Sequence, residues 1–462
     1  LALAEGDRVG ARRHVRAGQR LLAEHRRQLG SVEAVAAAAV HGVRLGELDV
    51  GAALADGDAL GVLDAVERGR AVFAGPVRVR PPEDPDLSRV LSELRRCVER
   101  HRGLDPDGPP AVQRERDELA RRVARLRREA RERSWQVGEG LAGERAPRPA
   151  AVRAAVRRSG VSVLDVLVHG GQVWGLVVDA VGARLERLAP LAAIAEPLRR
   201  VRTDLEMLAR PLAPQMGHVV AASLERGLAR LEELLLRPVV GAGPLHVVAS
   251  GELATLPWGS LPSRRGRPTS VASRLVLADG AAPPAGQGVV AVAGPGLEHA
   301  GREVAEVAAR WPGAVTREGA RCAQVVEDLA RSRVVHLAAH GHHETDNPVF
   351  SWVLLEDGPL FAHELEGVRL PGSVVVLSAC EVGRVTERPG GEALGMASVL
   401  LRRGARAVVA ALAPLRDELA ARVMPELHAA LAGGAGPQEA LARACEAVGE
   451  PVPLTCFAEA VV

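Results

Sequence analysis

Tyrosine and lysine are absent from this chain of 462 residues, and isoleucine and asparagine occur once each, as Ile194 and Asn347. All four use AT-rich codons, so the gap points to a GC-rich genome and not to a structural demand. Arginine supplies all 59 basic side chains, including those that another genome would write as lysine. Aromatic residues make up 2% of the chain, too few for the stacking platforms that bind single-stranded nucleic acid. A net charge of +2 gives no general attraction to nucleic acid or to anionic membranes. Five cysteines (Cys97, Cys322, Cys380, Cys445 and Cys456) are too few and too scattered for a disulfide framework. None forms a C-x-x-C pair, which leaves a structural zinc site of that type unsupported. A reducing, cytoplasmic compartment is expected. No uncharged apolar run reaches 18 residues and no cleavable signal peptide is evident, so no membrane association is expected. The sequence opens at Leu1 rather than at methionine, as a trimmed chain would.

What is present is typical of a globular protein: 47% apolar and 25% charged residues, enough for large cores in two or three domains. Residues 1–75 read as helices, because apolar residues recur at three and four spacing over 9–22, 31–54 and 59–72. Paired helices joined by short Gly/Asp turns fit degenerate tetratricopeptide-like repeats. The Trp, Tyr and Pro positions of that repeat are unfilled, and a plain helical bundle fits the same pattern. Residues 76–148 hold a turn-rich connector around Arg80-Pro-Pro-Glu-Asp-Pro85, two charged helices at 87–98 and 112–135, and a linker from Gly138. A break at 103–110 lets the two helices fold back as a hairpin. The second helix is Arg-rich, but Glu and Asp are interleaved at i+3 and i+4, which describes a solvated, ion-paired face.

From residue 149 to 462 strands alternate with helices, the doubly wound α/β pattern. A hairpin is expected over 161–178, turning at Gly170-Gly171, and further strands at 245–248, 289–292 and 407–412. Helices are expected at about 190–210, 217–236, 302–310, 323–331 and 391–401, and two more close the chain. Two stretches organise this region. Val334-Val-His-Leu-Ala-Ala-His-Gly341 and Val374-Val-Val-Leu-Ser-Ala-Cys-Glu381 are each an apolar run that stops at a reactive side chain. Unbroken aliphatic runs read as strands covered on both faces, and sites in open α/β sheets form beyond the carboxyl ends of such strands. An imidazole at His340 and a thiol at Cys380 on one sheet edge is what a cysteine nucleophile needs, since a thiol attacks poorly until a base takes its proton.

The motifs of residues 150–460 resemble the CHAT family, caspase-like cysteine peptidases often fused to tetratricopeptide repeats. The pieces occur in family order: Leu253-Ala-Thr-Leu-Pro-Trp258, the His340 stretch, Ser351 with Leu354-Leu-Glu-Asp-Gly358, Val376-Leu-Ser-Ala-Cys-Glu-Val-Gly383, Gly391-Glu-Ala-Leu-Gly395 and Gly404-Ala-Arg-Ala-Val-Val409. The resemblance implies a caspase-like, mostly parallel sheet flanked by helices, preceded by an all-α region. It implies His340 as general base, Cys380 as nucleophile and an oxyanion hole from the backbone N–H groups of Gly341 and Cys380. It also implies a protein substrate, no cofactor, and N-terminal helices that receive a regulatory protein or make an intramolecular contact; related bacterial peptidases act in defence or cell death. Glu381, Asp346 and Asp417 are candidates for a substrate pocket by position. The sequence departs from the family at Ala413, where Trp is common, and at Cys456-Phe457, where an aromatic pair is common.

Two rival functions are open to the same residues. His336, His340, His342 and His343, with Glu344 and Asp346, invite a metal site. They match no standard zinc spacing, and the H-x-H-x-D-H order fails at Glu344 and Thr345. No metal is expected. The other rival is a catalytically inactive caspase-like scaffold, against which both dyad residues argue.

Overall fold

The structure is a computed structural model. It describes residues 7–26, 32–73, 108–134, 146–277, 286–344, 348–379, 382–384, 386–388, 392–458 and 460–461, and scattered residues between 89 and 104. Residues 1–75 are helical where described, in Arg8–Arg26, Val32–Asp56 and Ala59–Phe73. The second charged helix spans Pro110–Ser134, and a short helix, Pro149–Ser159, leads into the sheet. Among the described residues, no helix is long and apolar enough to cross a membrane.

The strands are β1 (Ser162–His169), β2 (Gln172–Val178), β3 (Ala183–Pro190), β4 (Leu245–Ala249), β5 (Thr269–Ala272), the short β6 (Val276–Leu277), β7 (Val289–Ala293), β8 (Val315–Glu318) and β9 (Val334–Ala338). Next come β10 (Gly341–His342), β11 (Trp352–Leu355) and β12 (Gly358–Phe361), which form a separate three-stranded sheet. After β13 (Val374–Ser378) come a hairpin of β14 (Thr386–Arg388) and β15 (Glu392–Leu394), then β16 (Ala407–Ala411), β17 (Leu454–Phe457) and β18 (Ala460–Val461).

Eleven strands form the main sheet in the order β3-β2-β1-β4-β5-β17-β16-β13-β9-β7-β8. Nine of its strands form two parallel blocks, and β2 pairs antiparallel with β1 and β3 at one edge. Strands β8, β7, β9, β13 and β16 run one way. Strands β17, β5, β4 and β1 run parallel to one another. The blocks meet at β16 and β17, which pair antiparallel. The sequence expectation of a mostly parallel sheet flanked by helices holds, with this reversal at its centre. The central strands are aliphatic and buried on both faces, as crossover connections require.

One face carries a continuous core under the helices Leu191–Leu208, Pro214–Leu235, Cys322–Arg331 and Met396–Arg402. The other face is shared. Helices Ala300–Ala308, Asp417–Ala432 and Pro437–Val448 cover the block that holds β9 and β13. Over β1, β2 and β4 the cover comes from the N-terminal region, where Ala53, Val62, Leu63 and Val66 join Val152 and Val156 against Val163, Leu176 and Val248.

One stretch folds differently from its expectation. Residues 391–401 read as one helix, but Glu392–Leu394 is a strand and the helix begins at Met396. At Gly395 the backbone (φ 147°) leaves the helical region, so the two segments cannot be continuous.

A buried ionic cluster ties the N-terminal helices to the sheet. Arg70 donates from Nη1 and Nη2 to the two oxygens of Asp165 on β1, at 2.6 and 2.8 Å, and to Glu67 at 2.6 Å. Asp165 is 1% and Glu67 2% exposed, and Glu67 accepts a further bond from the Leu275 amide. Burial pushes the Glu67 carboxyl up. Burial also opposes the charge of Arg70, but Asp165 and Glu67 outweigh it and hold the guanidinium protonated. Removing the cation strands two buried carboxylates. Arg70→Ala is therefore expected to lower the free energy of unfolding by about 3–5 kcal/mol, read as a drop in the urea midpoint. A chain starting at Ala150 loses the cover of β1 and β2 and is expected to bind a hydrophobic dye and aggregate; a monodisperse, cooperatively unfolding product would contradict the shared core.

Candidate active site

Strands β9 and β13 lie side by side, parallel and in register, from Val334 opposite Val374 to Ala338 opposite Ser378. The Ala339 amide donates to the Ser378 carbonyl at 3.2 Å, which carries the pairing one residue further. Both strands therefore release the chain at the same sheet edge. Ala339 and Ala379 are buried, and His340 emerges as a half-buried side chain. Cys380 follows Ala379 in sequence; it lies outside the described residues, as do Glu381 and Asp346.

The His340 ring is fixed by a backbone group. Its Nε2 lies 3.1 Å from the carbonyl oxygen of Gly296. A carbonyl only accepts, so this bond assigns the proton to Nε2 and leaves Nδ1 with a free lone pair. Gly296 belongs to the Gly294-Pro295-Gly296 turn that follows β7, and its φ of 74° is one that side chains rarely adopt. At Gly294 the backbone passes so close to the His340 segment that a Cβ would come within 2.7 Å of the Ala339 Cβ and 2.8 Å of the Leu354 oxygen. Nothing in the sequence motifs marked this partner, because a carbonyl has no letter. The available signal is a Gly-Pro-Gly turn directly after a buried strand.

Gly341 is placed by β10. The Leu354 amide donates to the His340 carbonyl at 2.7 Å, while Gly341 stands opposite Val353. That spacing makes Gly341 and Val353 a non-hydrogen-bonded pair, so the Gly341 N–H is directed away from β11. Behind it, the Ser351 hydroxyl accepts from the Glu344 amide at 3.1 Å and is hydrogen-bonded to His343 Nδ1 at 3.1 Å. His343 is buried and neutral: burial first, then Arg384 and His342, push its pKa down to about 4. The His342 ring packs on Trp352, with centroids 5.8 Å apart. Trp352, Phe350 and Phe361 share a core with Val90, Leu94, Cys97 and Leu126 of the charged helices. The described residues of both charged stretches thus rest on the small sheet that follows His340.

The histidines considered for a metal are dispersed. His336 is fully buried within β9, and both of its ring nitrogens are engaged, by Glu303 at 3.0 Å and by His428 at 3.1 Å. Among the described residues no group of three His, Cys, Asp or Glu is arranged to hold a metal ion. Asp417 opens the helix Asp417–Ala432 beyond β16, exposed on the carboxyl side of that strand. A carboxylate there complements the positive end of the helix. Arg384, four residues after Cys380 in sequence, donates to Glu206 at 2.6 Å and to the Leu412 carbonyl at 3.2 Å.

An N-terminal helical region followed by a mixed, mostly parallel sheet between helices is the arrangement of caspase-like peptidases. Residues 206–451, just over half of the chain, match the CHAT domain, and the chain belongs to that family. No curated protein matches it at a significant level. Two crystal structures of the Saccharomyces cerevisiae separase–securin complex are similar in fold. One, at 2.6 Å resolution, aligns with 99% of this chain and 38% of that chain, at 9% identity and a TM-score of 0.50. The other, at 3.0 Å, aligns with 87% of this chain and 38% of that one, at 8% identity and a TM-score of 0.48. The chain therefore spans little more than a third of the length of those chains, and the likeness concerns the fold.

Two buried histidines make the fold acid-sensitive. His343 and His246 both have pKa values pushed down to about 4, with burial the first cause in each. In the unfolded chain each binds a proton near pH 6.5. The unfolded state therefore holds more protons between pH 6.5 and 4, and stability falls as pH falls through that window. Each histidine contributes a loss of about 1.4 kcal/mol per pH unit. Urea midpoints from pH 7.5 to 4.5 should decline accordingly, and less steeply in a folded His246→Gln variant.

Proposed function

We propose that the chain is a cysteine endopeptidase in which His340 is the general base and Cys380 the nucleophile. The observation that carries this reading is the in-register parallel pairing of β9 and β13, because His340 and Cys380 each stand two residues past an end of that register. The Nε2–H bond to Gly296 supports Nδ1 as the basic nitrogen. In the proposed reaction Nδ1 takes the thiol proton and the thiolate sulfur attacks the carbonyl carbon of a peptide bond. The tetrahedral oxyanion is met by the N–H groups of Gly341 and Cys380. Collapse gives a thioester, and the amine leaves with the proton from His340. Water, activated by the same nitrogen, then releases the acid.

Glu381, Asp346 and Asp417 are the carboxylates proposed for the substrate pocket. The helical hairpin, packed on Trp352 and Phe361, is proposed as the surface that receives a regulatory protein or recruits the substrate. The fold-related separase is seen with securin, which favours a protein partner here too. A role in bacterial defence or cell death belongs to the same proposal.

Alkylation tests it. Native protein is treated with a limiting dose of iodoacetamide and each cysteine is quantified by mass spectrometry. Burial pushes the Cys445 and Cys456 thiols up to about 12, and Cys97 and Cys322 are also buried, so all four should react slowly. Cys380 is expected to dominate the labelling near neutral pH. His340→Ala should slow it by about two orders of magnitude or more, and Cys380→Ala should abolish cleavage of a protein substrate. Labelling of Cys380 no faster than that of its neighbours would identify an inactive scaffold instead.

A further inference from the structure

Four buried polar side chains form a line behind β9 that the proposed reaction does not use. The indole N–H of Trp311 lies 3.1 Å from His428 Nδ1, His428 Nε2 lies 3.1 Å from His336 Nδ1, and His336 Nε2 lies 3.0 Å from Glu303 Oε1. His336 and His428 are 0% exposed, Trp311 6% and Glu303 8%. The direction of the chain is fixed at one end, because an indole can only donate. His428 must then accept at Nδ1 and donate from Nε2, and His336 must accept at Nδ1 and donate from Nε2 to the Glu303 carboxylate. Every ring nitrogen is satisfied with both imidazoles neutral. A bond to a carboxylate is the strong kind, and stronger still in a dry interior.

Its position gives this chain a second meaning. His336 stands four residues before His340 on the same segment. Glu303 is in the first turn of the helix Ala300–Ala308, seven residues after Gly296. The β7–β9 ladder joins the two segments as far as the Gly294 amide, which donates to the Ala338 carbonyl at 2.8 Å, and Glu303 and His336 add a side-chain tie between the stretches that continue beyond it. We propose that Glu303 and His336 are positioning residues for His340: their hydrogen bond holds the Gly296 carbonyl against Nε2 and so keeps Nδ1 free. The carboxylate can only accept, so it fixes His336 as the donor, and His428 and Trp311 complete the chain behind it. This role rests on the assignment of His340 as the base.

The test is the tautomer of His340 in the full-length chain, read from two-bond 1H–15N spectra of protein labelled with 15N-histidine. The His340 signal is assigned by its loss in His340→Gln, and limiting-iodoacetamide labelling of Cys380 is measured in parallel. In the wild type His340 is expected as the Nε2–H form. Glu303→Leu should give a mixture of tautomers and slow Cys380 labelling by roughly tenfold to a hundredfold, as expected when a catalytic group is misplaced. Glu303→Gln still offers an amide oxygen to His336 and should keep labelling within about twofold of the wild type, the margin of a conserved hydrogen bond. Should Glu303→Leu fail to fold, Glu303→Met fills similar space without the carboxylate and should also yield mixed tautomers at His336 and His340. A folded variant with altered His336 signals but an unchanged His340 signal would overturn the positioning role. Wild-type Cys380 reacting as an ordinary thiol, while the His340 tautomer still follows Glu303→Leu, would remove the dyad and leave the clamp standing.

Discussion

The parallel register between β9 and β13 is the constraint on which the site depends. Side chains on a strand alternate between faces, so a slip of one residue reverses every one of them. Here the faces differ in kind. Val335, Leu337 and Ala339 enter one apolar core, while Val334, His336 and Ala338 face the helices that carry Glu303 and His428. A slipped β9 would drive His336 into an apolar core and Leu337 against Glu303 and His428. The polar chain thus makes the wrong register costly, and the edge from which His340 departs is set by a residue four positions earlier.

A second dependence runs through the N-terminal helices. An α/β sheet must be covered on both faces, yet the helices after residue 190 cover one face and leave part of the other to be filled. Helix Ala59–Phe73 completes it, held by Arg70 on Asp165. The charged helices touch the molecule elsewhere, on the small sheet that continues from His340 through Gly341. Two helical parts of the chain thus meet the α/β part in different ways: one fills a face of the sheet, and the other leans on the segment next to the catalytic candidate.

Much of this was legible in the sequence because aliphatic runs such as Val374–Ser378 have one physical solution, a strand buried on both sides. The strands that escaped notice lack that signature. β3 reads Ala-Arg-Leu-Glu-Arg-Leu-Ala-Pro and β8 reads Val-Thr-Arg-Glu; both are sheet edges, where exposure permits charge. β17 is short and follows a Pro-Val-Pro segment that resembles loop. The reversal between β16 and β17 depends on which strands neighbour each other, and no local pattern encodes that. In the site, His340 and Gly341 stood out by position, whereas the Gly296 carbonyl did not. His336 drew attention as a metal ligand because histidine letters clustered; in space its partners, Glu303 and His428, come from distant helices.

The last strand of the main sheet is also its joint. β17, at residues 454–457, lies between β5 and β16 and, among the described residues, makes the main-sheet pairing that joins the blocks running in opposite directions. During synthesis the β1–β4–β5 half and the half holding β9 and β13 leave the ribosome well before this strand does. Each can begin to fold, but they remain two unjoined half-sheets with bare edges until residue 457 has cleared the exit tunnel. Four residues thus join the two halves, and a chain that lacked them would keep the candidate base on one half-sheet with no bridge to the other.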